Sequence, residues 1–341
     1  MMKIECSECH TQYQLVVSRI EKKQRFRVKC KKCNNLIVID FTKKHPDLNP
    51  TWKKLFPKNV LYGEALHKDV VSNFKRLYPM PHVALKARQL ILDPESDFRR
   101  ISNLLKTDQA LASRILKVAN SAYFGLCGKV SSIQHASALL GTKLLVQIIN
   151  MVSHSKMLGG TMLGYDVDSG IMWRHSIAVA VGSDFIAKKM APEYSGEAFL
   201  TGLLHDAGKI ILDKFVLERQ ASFRELLKDS KQSIVDVERK ILGFDHAKIS
   251  GDLCIHWNLP DFVAEAVEFH HFPSYSRANM LAYIVHAADA IAKHVDQVTS
   301  EVDFDTLDSN TLNFLNLEDK KLQAMAHQIL EAVETLEDDT Y

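Results

Sequence analysis

The chain has 341 residues, 46% hydrophobic and 25% charged, an ordinary globular composition with enough length for two or three folding units. Its formal net charge of +2 averages two opposite ends: residues 1–44 hold eleven Lys or Arg against four Asp or Glu, and residues 296–341 hold two against twelve. No eighteen apolar residues occur together and MMKIECSECH lacks the apolar core of a signal peptide, which excludes a helical membrane span and predicts a cytoplasmic protein with no membrane partner.

Residues 1–42 alternate short apolar and polar runs, as in RFRVK and LIVID, the pattern of small β-hairpins. Within them Cys6, Cys9, Cys30 and Cys33 form C-x2-C-x20-C-x2-C, while Cys127 and Cys254 stand alone. In a reducing compartment that spacing favours metal over disulfide, and four thiolates close a tetrahedron around a structural zinc. So short a segment buries too little surface to fold alone, so the zinc is expected to supply most of its stability. Lys22, Lys23, Arg25, Arg27, Lys29, Lys31 and Lys32 form a basic face. That face suits nucleic-acid phosphates, or it offsets the charge of a zinc tetrathiolate.

Residues 43–59 carry Pro46, Pro50 and Pro57 and little periodicity, as a linker does. From residue 60 the pattern is helical throughout. Pro79 and Pro81 end the first helix; helices are then predicted over 82–92, 97–108, 110–124 and, after a capping-box pattern at Ser131 and Gln134, 133–158. The Gly-rich stretch GGTMLGYDVDSG separates this half, 60–165, from a second helical half, 166–341, which ends in an acidic helical segment. The expected fold is therefore mainly α, a multi-helix domain preceded by a small β zinc ribbon.

The tract GLLHDAGKIIL places His205 and Asp206 side by side in an apolar helical pattern, where a polar pair is costly without a partner such as a metal. Lys209 falls on the same side of the predicted helix. His175, His246, His270, His271 and Asp289 sit in, or at the edges of, other apolar helical patterns of the same half. Imidazoles and carboxylates suit Fe, Mn, Zn, Co or Ni without choosing among them, and one or two such ions fit the logic of metal-assisted phosphoester hydrolysis. Each residue alone reads as packed polar structure; Asp289, for instance, stands three residues from His286. His256, His286 and His294 have no place in the set.

The order H, HD, H, HH, D resembles the HD phosphohydrolase superfamily. LYPMPHVALKARQLILDPESDFRRISNLLKTDQALASRILKVANSAYFG, KVSSIQHASALLG and HWNLP resemble its HDOD (HD-related output domain) regulatory branch, over roughly residues 57–340. The resemblance implies one metal on His175, His205, Asp206 and Asp289, a second on Asp206, His246, His270 and His271, and Lys209 facing a substrate phosphate. Asp206 and Lys209 would then be the groups nearest any catalysis. Two departures matter: FPSYSR follows His271 where the cyclic-dinucleotide phosphodiesterase branch has Gly-Tyr-Pro, and Ile171 stands where a further metal would need a carboxylate.

The first reading is a signal-transduction protein whose HDOD domain binds a partner protein or small ligand and keeps an HD-type metal site. The alternative is a metal-dependent phosphohydrolase acting on a nucleotide or other phosphoester; a third is a nucleic-acid-binding regulator acting through the ribbon. The sequence leaves turnover, the identity of the metal and the oligomeric state open.

Overall fold

The structure, a computed structural model, describes residues 2–5, 12–15, 25–29, 32–33, 36–40, 61–77, 83, 85–86, 105, 109–126, 129–228, 232–297, 307, 310–316 and 319–340. The chain divides into two compact units, Met1–Val60 and Leu61–Tyr341. The linker predicted over 43–59, and most of the helices predicted over 82–92 and 97–108, lie outside the described residues.

In the first unit β1 (Met2–Glu5) pairs antiparallel with β2 (Gln12–Leu15), and β3 (Arg25–Lys29) with β4 (Leu36–Asp40). The second hairpin uses the two alternating segments RFRVK and LIVID. In sequence, each C-x2-C pair falls between the paired ends of one hairpin, Glu5↔Gln12 and Lys29↔Leu36. Cys33 is exposed; Cys6, Cys9 and Cys30 lie outside the described residues.

The second unit is helical. Helix α1 (Glu64–Leu77) and α2 (Gln109–Ala119) precede the long α3 (Ile133–Leu158). The cap of α3 is Ser132 rather than Ser131: Ser132 Oγ accepts the His135 N–H at 3.1 Å, one residue later than the capping-box pattern suggests. At Gly141 the backbone leaves the helical region (φ 74°, ψ 171°), a conformation that favours glycine, and α3 kinks there.

Helix α4 (Ile171–Met190) is apolar around nearly its whole circumference, and fourteen of its residues from Met172 to Ala187 are buried. A helix of that kind belongs in a core. Around it pack α5 (Ser195–Leu204), α11 (Met280–Gln297) and α13 (Asp319–Thr340); between them in the chain come α6 (Ala207–Leu217), α7 (Gln220–Leu227), α8 (Ile234–Leu242), α9 (His246–His256), α10 (Asp261–Glu268) and the short α12 (Thr311–Leu315). Glycines bring the central helices together. A Cβ on Gly202 would lie 2.7 Å from Val179 O and 2.8 Å from Ala180 Cα, so α5 can lie this close to α4 only without a side chain there.

One predicted helix is two. The run EAFLTGLLHDAGKIILDKF breaks at His205–Asp206 into α5 and α6, with Asp206 as the N-cap of α6 (φ −104°, ψ 5°). The cause is tertiary. The Gly208 N–H in the first turn of α6 donates to Ser250 Oγ on α9 at 2.7 Å, and a Cβ on Gly208 would stand 2.1 Å from His246 O. Docking α6 onto α9 satisfies a helix-end donor that a continuous helix would have spent internally.

Candidate metal centre

The break between α5 and α6 places both polar residues of the tract at one point. His205 and Asp206 are fully buried there, and α4, α9, the segment after α10, and α11 bring His175, His246, His270, His271 and Asp289 to the same place. His175 Nε2 lies 3.2 Å from Asp289 Oδ1 and 3.8 Å from Asp206 Oδ2. His205 Nε2 lies 3.4 Å from Asp206 Oδ2 and 3.8 Å from Asp289 Oδ1. On the other side, His246 Nε2 is 2.8 Å from Asp206 Oδ1 and 2.8 Å from His271 Nε2, and His270 Nε2 is 3.7 Å from Asp206 Oδ1. Asp206 stands between the two groups, one oxygen toward each. Lys209 pairs with Asp206 Oδ2 from the partly open rim, its side chain 15% exposed. Ile171, four residues before His175, is exposed and offers no ligand.

The outer nitrogen of each central imidazole is tied down. Nδ1 of His205 bonds to Gly202 O at 2.8 Å, Nδ1 of His270 to Val267 O at 2.7 Å, and Nδ1 of His246 to Glu238 Oε2 at 2.7 Å. Since the oxygen can only accept, Nδ1 carries a proton, so the neutral ring offers its Nε2 lone pair inward, as a metal-binding histidine requires; on His246 a cation would take the place of a second proton. The Nδ1 of His286, which the sequence pattern leaves out, bonds to His270 O at 2.7 Å and so holds the backbone beneath that ligand. Asp289 pairs with Lys293 at 2.6 Å.

Glu238 is the residue that sequence reasoning misses. It is fully buried, and its oxygens accept from Tyr165 Oη at 2.6 Å and from the His246 backbone N–H at 2.9 Å. A signal was present: on α8 a glutamate occupies the apolar stripe of Val235, Ile241 and Leu242. A charge on a buried face asks for a partner.

The electrostatics follow from burial and neighbours. Burial acts to raise Asp206, but Lys209, with His205 and His246, outweighs it and holds the carboxyl well below the usual range. Asp289 behaves the same way, burial being overcome by Lys293 and by the bond from His175. Burial, then neighbouring imidazoles, pushes His270 and His271 well below an ordinary histidine, so both are neutral at pH 7. His246 goes the other way: burial lowers it, Glu238 and Asp206 prevail, and it is pushed up to about 9.

Four atoms test whether a cation fits. His205 Nε2 and His270 Nε2 are buried and make no hydrogen bond, and the buried oxygens Asp206 Oδ1 and Asp289 Oδ1 face imidazole nitrogens, His246 Nε2 at 2.8 Å and His175 Nε2 at 3.2 Å. Each unbonded nitrogen costs roughly 1–3 kcal/mol, and a shared cation would satisfy all four atoms. Ligand atoms of Asp206, His246, His270 and His271 lie within 4.8 Å of one another; His175, His205 and Asp206 make a second such set, and His205, His270 and Asp289 a third. Bonds of about 2.0–2.2 Å separate the ligands of one ion by at most roughly 4.4 Å, so modest closure suffices. The donors fit one or two divalent ions.

Comparison with known proteins agrees with this architecture. The HDOD domain model matches residues 77–273, and a zinc-ribbon domain model matches residues 2–38, which include all four ribbon cysteines. The solved structure of an HDOD domain protein of unknown function from Geobacter sulfurreducens is similar over 80% of this chain and 97% of its own (TM-score 0.67, 21% identity). A provisionally assigned phosphohydrolase from Shewanella amazonensis SB2B is similar over 81% of this chain and all of its own (TM-score 0.63, 19% identity). An uncharacterized protein of Treponema pallidum (strain Nichols) is 24% identical over 225 residues, 64% of this chain; the chain spans only 43% of that relative's length. No helix among the described residues is long and apolar enough to cross a membrane.

Proposed function

Because the chain belongs to the HDOD family, we propose that it is a signal-transduction protein whose helical unit binds divalent metal and couples it to a small phosphorylated ligand or a partner protein. The observation that carries this reading is the set of buried ligand-type atoms turned on one another: His205 Nε2 and His270 Nε2, which make no hydrogen bond, with Asp206 Oδ1 and Asp289 Oδ1 among the imidazoles. Apolar side chains would fill that space at less cost, so retaining such atoms there points to a cation. His175, His205, Asp206 and Asp289 would hold one ion, and Asp206, His246, His270 and His271 a second. A bound ion supplies Lewis acidity toward a phosphoryl oxygen. The residues around it position and neutralise: Glu238 and the carbonyls of Gly202 and Val267 keep the imidazoles in the binding tautomer, and Lys209 offers its ammonium at the rim. The ribbon, with four cysteines placed in sequence at two hairpin ends, would hold zinc as a structural element.

Metal analysis tests this. The purified protein is expected to carry one zinc for the ribbon and at least one further ion, and the His205→Ala, Asp206→Ala double variant to lose only the latter. Equal metal content in the two proteins would remove the basis for the reading.

The second reading, a metal-dependent phosphohydrolase, is favoured by one specific feature: Asp206 presents separate oxygens to two histidine groups, with Lys209 beside them. Against cyclic dinucleotides the segment after His271 counts the other way. Phe272 packs there under the Arg239 guanidinium, 4.8 Å from the ring centroid. Turnover of a phosphoester at about 1 per second or faster, lost in His205→Ala, would establish the enzyme.

A further inference from the structure

Two lysines stand on the two carboxylates of the centre, and the sequence pattern points only to Lys209. Lys293, one helical turn beyond Asp289 on α11, holds Asp289 Oδ2 at 2.6 Å as Lys209 holds Asp206 Oδ2. The Asp289 oxygen turned inward is Oδ1, 3.2 Å from His175 Nε2. Asp206 is different, because both of its oxygens face histidines. Its Oδ1 looks toward His246 and His270; its Oδ2, the one that Lys209 holds, lies 3.4 Å from His205 Nε2 and 3.8 Å from His175 Nε2. An ion on the His246 side therefore leaves Lys209 where it is. An ion on the His175–His205 side must share Asp206 Oδ2 with an ammonium.

Charge leads to the same asymmetry. Asp206, Asp289 and Glu238 bring three buried negative charges, and Lys209 and Lys293 bring two positive ones, leaving one negative charge when the ligand histidines are neutral. One divalent ion reverses that to one positive charge; two leave three, in a low-dielectric pocket where unbalanced charge is expensive. A doubly charged oxyanion brings the total back to one positive charge, that of the one-ion centre. Both side chains are partly exposed, 15% for Lys209 and 49% for Lys293, so an oxyanion from solvent has access to each ammonium.

Resting on the metal reading above, we propose that Lys209 and Lys293 hold the centre to a single divalent ion and admit a second only when a phosphate-class oxyanion takes their ammonium groups, so that second ion and phosphate bind together. Coupling of this kind is reciprocal: phosphate binds more tightly to the two-ion form by the same factor.

The test uses the full-length protein with its ribbon zinc in place, titrated with Mn²⁺, which thiolate sites disfavour. Bound Mn²⁺ is counted by electron paramagnetic resonance with and without inorganic phosphate. One Mn²⁺ per chain is expected without phosphate and two with it. Lys293→Gln and Lys209→Gln should each take up the second Mn²⁺ without phosphate, and the phosphate-dependent gain in its affinity, about tenfold or more in the parent protein, should disappear. Two ions in the parent without phosphate, one ion under both conditions, or lysine variants that titrate like the parent would each overturn the coupling while leaving the metal reading intact. A folded protein that takes up no Mn²⁺ at all would overturn both.

Discussion

Glu238 receives both the backbone N–H of His246, at 2.9 Å, and its Nδ1, at 2.7 Å, on the single oxygen Oε2, while Oε1 accepts the Tyr165 hydroxyl at 2.6 Å. One buried carboxylate thus sets the position, ring orientation and tautomer of a candidate ligand, and its two oxygens accept from three donors. Outer partners of this kind commonly matter to metal affinity as much as the ligands they orient.

Glu238→Gln should therefore leave the helical unit folded and weaken divalent-ion binding about 10- to 100-fold. The amide keeps the shape of the side chain but loses the charge that holds the His246 Nδ1 proton. Mn²⁺ titration against the parent reads the effect. Unchanged affinity would mean that His246 is not a ligand or needs no orienting partner.

Gly208→Ala probes how the centre is assembled. An added Cβ would stand 2.1 Å from His246 O and 2.9 Å from Ser250 N, both backbone atoms, so α6 must move off α9. Overpacking of this kind costs about 1–3 kcal/mol, and the upper end is expected because no flexible side chain can yield. Ion affinity should fall as well, since the same contact seats His246 beside Asp206. Gly160→Ala, with nothing within 4 Å of its Cβ, is the matched control and should unfold like the parent. Equal melting temperatures for the two variants would refute the close approach.

The residues that converge on the candidate centre were legible because each is a polar group in, or at the edge of, an apolar helical pattern. His205 and Asp206 within GLLHDAGKIIL are the clearest case, and the hairpin strands were legible as alternation in RFRVK and LIVID. The break at His205–Asp206 was not, because LLHDAGKII has unbroken helical periodicity and only the docking of Gly208 against α9 divides it. Lys293 was hidden for a similar reason. An aspartate followed four residues later by lysine is an ordinary exposed helix pair until the burial of Asp289 is known. Glu238 lay within reach, since its place on the apolar face of α8 is a sequence fact.

The ribbon and the helical unit should respond separately to damage. Cys30→Ser removes one of four thiolates, and an incomplete tetrahedron forfeits most of the folding free energy of so small a unit. Residues 1–40 should lose NMR dispersion and zinc, while the far-UV circular dichroism and melting of the helical unit stay as in the parent. Ribbon resonances that survive both the substitution and a chelator would rule out zinc as the organiser.

His154 should make stability depend on pH below about 6.5. On α3 it is fully buried, 5.3 Å from the Trp257 ring by centroid; its Nδ1 bonds to Asn150 O at 2.7 Å, and its Nε2 makes no hydrogen bond. Burial pushes its pKa down from 6.5 to about 4, and the Asn150 carbonyl, which favours the protonated ring, only partly offsets this. The unfolded chain thus takes up a proton near pH 6.5 that the folded chain refuses until about pH 4. Between those values the unfolded state binds more protons, so stability is intact above about pH 6.5, falls as the pH drops toward 4, and then levels off for this group. At 1.36 kcal/mol per unit the loss is about 3 kcal/mol. His154→Leu removes the titration, so urea unfolding of the variant should change less than that of the parent between pH 6.5 and 4 by about that amount. Asp206 and Asp289, whose lowered carboxyls also lose stability in acid, and His270 and His271, lowered as His154 is, remain in both proteins, so the difference between them isolates His154. Parallel stability curves would show that His154 meets water or a proton acceptor in solution.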